Sequence, residues 1–126
     1  MFIQLSNASE KPIYEQITAQ LKQAILSGKL LPGDALPSIR ALAKDLKISV
    51  MTTKRAYADL ERDGFIETVA GKGSFVAERN QDFLREELLR QLEAHLLKAV
   101  QTAKTANMSK QELLELFMLL TEEEIE

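Results

Sequence analysis

The spacing of apolar residues changes several times along the chain, and each change marks an element. After Pro12, residues Ile13, Ile17, Leu21 and Ile25 recur at helical spacing with Ala24 on the same side. This predicts an amphipathic helix that tolerates proline in its first turn and stops near Ser27-Gly28. Leu31-Pro32-Gly33-Asp34 reads as a turn by composition. Ser38 then stands at an N-cap position ahead of Ile39, Leu42, Ala43 and Leu46 at core spacing. Only Lys47-Ile48 separates that helix from Ser49, a second capping serine, whose helix runs to Arg62 or Asp63 and is stopped by Gly64. Two short helices joined this tightly have the spacing of a helix-turn-helix.

Past Gly64 the period shortens. Phe65 to Val69 and Ser74 to Ala77 are strand-like, with Gly71-Lys72-Gly73 between them as a hairpin turn. Three helices followed by a hairpin make a winged helix. From about Asn80 the helical period returns: Leu84, Leu88, Leu92, Leu96 and Val100 recur every four residues, and Leu89 and Leu97 widen the stripe. Thr102 to Met108 interrupts it. Ser109-Lys110-Gln111-Glu112 is a capping box, and Leu113, Leu116, Phe117 and Leu120 mark a last helix ending in Glu122-Glu123-Glu124.

The expected fold class is mainly α with a small β-hairpin. An N-terminal winged helix-turn-helix over residues 1–78 precedes a two-helix part over 79–126. The stripe from 84 to 100 is longer than a small winged helix can hide, so burial against a second copy is expected, with Leu84, Leu88, Leu92 and Leu96 in the dimer interface. Packing against the last helix is the intramolecular alternative.

Composition narrows the chemistry. An apolar content of 45% supports a real core, and the absence of cysteine excludes disulfides, thiolate metal sites and cysteine nucleophiles. The single histidine, His95, rules out a histidine-rich metal cluster and reads as a surface or interface residue. No metal, cofactor, nucleophile-base pair, pair of catalytic carboxylates or phosphate loop is expected, so the chain reads as a non-enzyme. Residues 1 to 10 lack a basic and then apolar leader pattern, and no apolar run is long enough for a membrane span; a soluble cytoplasmic protein is expected.

The net charge of -3 is unusual for a DNA binder, but it is unevenly placed. Residues 1–77 carry ten Lys/Arg against eight Asp/Glu, and residues 78–126 carry six against eleven. The acidity therefore belongs to the C-terminal part, and one face of the N-terminal part can still gather positive charge.

On the third helix Thr53, Ala56, Tyr57 and Leu60 form the buried face, and the opposite face carries Met51, Arg55, Ala58 and Arg62, flanked by Thr52 and Lys54. The N-terminal end of such a helix is where side chains reach base edges. Thr52 can bond bases or phosphate, and Lys54 can reach phosphate or a guanine edge. Ser38 and Arg40 lie at the start of the second helix, where free N–H groups favour a phosphate. Lys72 stands between two glycines at the hairpin tip, where backbone can approach a sugar-phosphate chain closely. Each feature alone also fits an ordinary solvated surface. Together they supply small polar residues and cations in the order a winged helix needs.

Four segments carry a resemblance to a known family: Pro12 to Ile17, Leu31 to Ala43, Thr53 to Ile66, and Gly71 to Val76. In this order and spacing they resemble the GntR family of bacterial regulators over residues 10 to 77, and the short C-terminal part resembles its YtrA-type branch, which adds two helices and no large effector domain. Residues 80 to 126 are too few for the bulky ligand-binding or aminotransferase-like domains of other branches. The resemblance implies that Ser38, Arg40, Ser49, Thr52, Lys54, Gly71 and Gly73 fall on DNA-contacting positions. Met51, Arg55 and Lys72 join them from the helix and wing geometry. Two positions depart from the pattern. Val50, followed by Met51, stands where many relatives have arginine after the cap serine, which suggests a different operator. Lys47 stands where many have glycine, so it must accept a strained backbone or alter the turn.

The function expected is a transcriptional regulator, a repressor by usual consequence, that binds a palindromic operator in double-stranded DNA as a homodimer. A small-molecule effector, its identity open, would sit between the winged helix and the helical hairpin or in the dimer interface. A winged helix used for protein contacts is the competing reading, and salt dependence separates the two.

Overall fold

The computed structural model describes residues 3–78 and 81–125; the expected helix start near Asn80 lies outside them. The elements are α1 (Ile13–Leu26), α2 (Ile39–Leu46), α3 (Val50–Arg62), β1 (Ile66–Val69), β2 (Gly73–Val76), α4 (Gln81–Thr105) and α5 (Lys110–Glu124). Two compact units divide the chain, the first running through Leu84 and the second beginning at Arg85.

The first unit is the winged helix. Helix α3 packs between α1 and α2, burying Thr53, Ala56, Tyr57 and Leu60, the four positions that helical spacing selects. Ala56, Tyr57 and Leu60 share one core with Ile17, Leu21 and Ile25 of α1, Leu42 of α2, and Phe65, Ile66 and Val76 at the base of the wing. Strands β1 and β2 pair antiparallel, with Ile66 opposite Val76 and Val69 opposite Gly73. The wing has a third member that composition alone presents as a turn. Ala35 bridges Phe75, Gly33 N–H donates to the Val76 carbonyl at 2.9 Å, and Leu36 N–H donates to Ser74 at 2.9 Å. This ties the loop ahead of α2 to the far edge of β2 and buries Leu36.

A second feature unmarked in the pattern is the clamp on residues 3–6. Gln16 Oε1 accepts from Ser6 N–H while its Nε2 donates to the Ser6 and Lys11 carbonyls, all at 2.9 Å. One turn later Gln20 repeats this with Gln4, accepting at 2.9 Å and donating at 2.7 Å. Two amides at i and i+4 on one helix face thus replace the pairing a strand neighbour would give. Gln16 is buried without penalty because its amide is satisfied.

Helix α4 continues through Thr105, so the residues from Thr102 do not break it as the loss of the leucine stripe suggests. Polar surface residues end an apolar stripe without ending a helix. The stop is Asn107, in the left-handed region with φ 56°. Met108 N–H bonds the Ala103 carbonyl at 2.9 Å and Asn107 N–H bonds that of Lys104 at 3.1 Å, a Schellman closure. The capping box at Ser109 and Glu112 then opens α5, and the hydrogen bonds holding the Glu112 carboxylate keep it below its usual pKa.

Leu84 parts company with the other stripe leucines. It packs with Phe83 against the winged-helix core and lines a small cavity with Ile25, Pro32, Phe65 and Ala77, and the Phe65 and Phe83 rings meet edge to face at 5.7 Å. Leu84 thus belongs to the first unit and packs within it. In the second unit, among described residues, only Ala103 is buried.

Candidate nucleic-acid interface

Three elements of the first unit carry the polar and cationic residues singled out by sequence. At the start of α2, Ser38 Oγ accepts from Ala41 N–H at 3.0 Å, which leaves its own O–H proton available to an acceptor outside. The preceding carbonyl, that of Pro37, accepts the Tyr57 hydroxyl at 2.6 Å. Burial pushes the Tyr57 phenol up to about 12, so at neutral pH it is a fixed donor. Tyr57 thereby anchors the entry to α2 from the core side of α3. Arg40 stands exposed just beyond, with no ion pair among the described residues.

The link between α2 and α3 is closed by Lys47 at φ 57° and ψ 47°. Ile48 N–H reaches the Ala43 carbonyl at 3.0 Å, and Lys47 N–H that of Lys44 at 3.3 Å. Of the two outcomes open to a lysine in this turn, the chain accepts the left-handed backbone and keeps the turn. Ser49 caps α3 by accepting from Thr52 N–H at 3.0 Å, and its hydroxyl donates to Thr52 Oγ1 at 2.8 Å. The Ser49 proton is therefore spent internally and that of Thr52 is not. Met51, at 71% exposure, and the exposed Lys54 flank Thr52 on the outer surface.

The two arginines of the outer face have different settings. Arg62 pairs with Asp59 and Asp63, each at 3.2 Å, and Asp63 in turn binds Lys22 at 3.1 Å; this charge is committed within the fold. Arg55 has no carboxylate partner among the described residues, and its guanidinium lies 3.8 Å from the ring centroid of Tyr14 on α1. Sequence spacing places Arg55 on the outer face but gives no sign of the ring beneath it.

At the wing tip Lys72 is exposed, its N–H bonded to the Val69 carbonyl at 2.9 Å. Gly71 and Gly73 have φ of 77° and 108°, and a Cβ at either would meet nothing within 4 Å. The turn itself demands glycine at both positions.

Residues 13–76 match the model of the bacterial regulatory proteins of the gntR family. The chain belongs to the GntR family. It is 44% identical over 84 residues to the HTH-type transcriptional repressor YtrA of Bacillus subtilis, covering 67% of this chain and 65% of that protein. It is 38% identical over 116 residues to the HTH-type transcriptional regulator YhcF of the same organism, covering 90% of this chain and 93% of that one. Among solved structures, YtrA from Sulfolobus acidocaldarius, a GntR-family transcription factor, superposes with a TM-score of 0.59 at 33% identity over 96% of this chain and 97% of that one. In this family setting the first unit is a GntR winged helix-turn-helix, and the relatives named are regulators of transcription. No helix among the described residues is long and apolar enough to cross a membrane, and no group of residues there could hold a metal ion.

The second unit presents the opposite chemistry. Leu88, Leu89, Leu92, Leu96, Leu97 and Val100 of α4 are 41–59% exposed. On α5, Leu114, Leu116, Phe117, Met118, Leu119 and Leu120 are 45–59% exposed, and no α5 residue is buried. The two helices leave each other's apolar faces open to solvent. Packing against the last helix, the alternative to a partner, leaves these side chains at least 41% exposed. His95 lies exposed on α4.

Proposed function

We propose that this protein regulates transcription, as a repressor, by binding a palindromic operator as a homodimer. Residues 1–78 would bind DNA and residues 79–126 would join the two copies. The observation that carries the reading is the concentration of unspent donors and unpaired cations on the three elements a winged helix brings to DNA, namely Ser38 and Arg40, Thr52 and Lys54, and Lys72.

In this reading Ser38 and Arg40 hold a backbone phosphate at the α2 N-terminus, where the helix dipole also favours an anion. Thr52 donates to a base edge or phosphate, and Lys54 reaches phosphate or guanine. Met51, projecting from the first turn of α3, offers an apolar surface that suits a thymine methyl. Ser49 acts through its cap, fixing the first turn of α3 and the direction of Thr52. Lys72 follows the sugar-phosphate chain from the wing, its turn shaped by Gly71 and Gly73. Leu88, Leu92 and Leu96 are the centre of the proposed dimer interface, and Leu84 anchors the start of α4 to the winged helix.

The open apolar faces of α4 and α5 support dimerisation, since monomeric proteins rarely leave such continuous patches in water. Two tied recognition helices read half-sites about one helical turn, roughly 34–36 Å, or a multiple of it apart. Selection of bound fragments from a random duplex pool, with molar mass measured in solution, tests the whole reading. The expected result is an inverted repeat bound by a dimer with affinity falling steeply in salt. Binding that is insensitive to salt, or recovery of no fragment above background, would count against it.

A further inference from the structure

We propose that Tyr14 is a positioning residue that holds Arg55 flat for one backbone phosphate of the bound duplex, so that Arg55 contributes affinity without reading sequence. This rests on the operator-binding reading above. The guanidinium lies 3.8 Å from the Tyr14 ring centroid, and Tyr14 is itself packed against the winged-helix core. Stacking on a ring uses the face of the guanidinium and leaves its in-plane N–H donors free. An arginine paired with a carboxylate has its charge neutralised and its fork occupied, as Arg62 has with Asp59 and Asp63. Arg55 keeps both while resting against the ring, the combination that suits bidentate capture of a phosphate.

Position on α3 selects phosphate over base. Met51 and Thr52 occupy the first turn, the end that enters the groove. Arg55 lies one turn further along the face of Met51, and its side chain is drawn toward α1 by the ring. It therefore sits beside the groove-entering end, where the sugar-phosphate wall runs. The Tyr14 hydroxyl lies 3.4 Å from Glu15 Oε1, a long contact at the ring edge, so the aromatic face and not the hydroxyl serves Arg55.

The test measures affinity and salt slope on two probes, the fragment selected by the parent protein and a duplex of random sequence. Arg55→Ala is expected to weaken both by about tenfold and to flatten the salt slope by about one unit, leaving the ratio between probes unchanged. Tyr14→Leu should weaken both by about twofold to fivefold and have no further effect when combined with Arg55→Ala. Tyr14→Phe should match the parent. Additive losses from Tyr14→Leu and Arg55→Ala would overturn the positioning role, and a changed probe ratio in Arg55→Ala would overturn the phosphate assignment. If Tyr14→Leu does not fold in a thermal melt, Arg55→Lys decides, because it keeps the charge but neither stacks nor forks as arginine does. It should bind more weakly at parent slope, and parent-like affinity overturns the proposal. A parent protein that binds neither probe overturns the operator reading itself, whereas each of the other failures leaves that reading standing.

Discussion

Lys47 offers a direct measurement of what the helix-turn-helix link costs this chain. Its backbone, at φ 57° and ψ 47°, is left-handed, a region where Cβ crowds the following carbonyl by roughly 1–2 kcal/mol. Lys47→Gly removes that strain, but glycine also gives the unfolded chain more freedom, which returns roughly 0.4–1 kcal/mol. It further deletes a cation near the C-terminus of α2, and Lys47→Ala deletes the same cation while keeping Cβ. The informative quantity is the difference between the two variants, with glycine expected to be more stable by about 1 kcal/mol. For a domain of this size that is about 4–8 °C in Tm. Urea and thermal melts at one protein concentration would read it, since association of the kind proposed above would make the midpoint concentration-dependent. The urea slope should not change, because the surface exposed on unfolding is the same. If glycine is no more stable than alanine, the left-handed backbone at Lys47 carries no strain and the reasoning fails.

Other perturbations separate stability from binding. Tyr57→Phe should cost about 1–2 kcal/mol by leaving the Pro37 carbonyl without its donor. It should also change the alkaline limb: with the folded phenol at about 12 against an ordinary value of 10.0, the unfolded chain binds fewer protons between those values. Stability attributable to Tyr57 is therefore full below pH 10 and lost as pH rises toward 12, and melts across that range should show a shallower fall in the phenylalanine variant. Leu92→Glu should dissociate the proposed dimer, because it would place an unpaired charge in the proposed interface, without melting the winged helix; a variant that stays dimeric by solution mass and binds a palindrome at parent affinity would place the interface elsewhere. Arg40→Ala and Lys54→Ala should each flatten the salt slope of operator binding by about one unit, with a milder loss for Lys72→Ala, and an unchanged slope removes that residue from the contact set.

Local physics was legible in the residues before any fold was known. The caps at Ser38, Ser49 and Ser109, the glycine stop after α3, the buried quartet of α3 and the hairpin each depend on a few neighbouring side chains and a fixed period, and so can be read from one stretch of sequence. The resemblance of residues 10 to 77 to a family lies on those same short motifs, and the family match over residues 13–76 agrees with it. At Lys47 the residues left two outcomes open, a left-handed backbone or an altered turn, and the fold takes the first. Tertiary structure alone decided which surface each face would meet. Ala35 joins the wing because the far edge of β2 has unpaired backbone groups, and no residue within that loop signals it. Gln16 and Gln20 look like solvated helix positions until residues 4–6 lie alongside them. Leu84 shares its spacing with Leu88, Leu92 and Leu96, yet packs on the winged helix while they remain exposed. Arg55 and Arg62 share a helix face, but one lies on a tyrosine and the other is tied to aspartates. Periodicity fixes the direction in which a side chain leaves its helix; the identity of what waits there depends on chain segments distant in sequence, and only the packed fold brings them together.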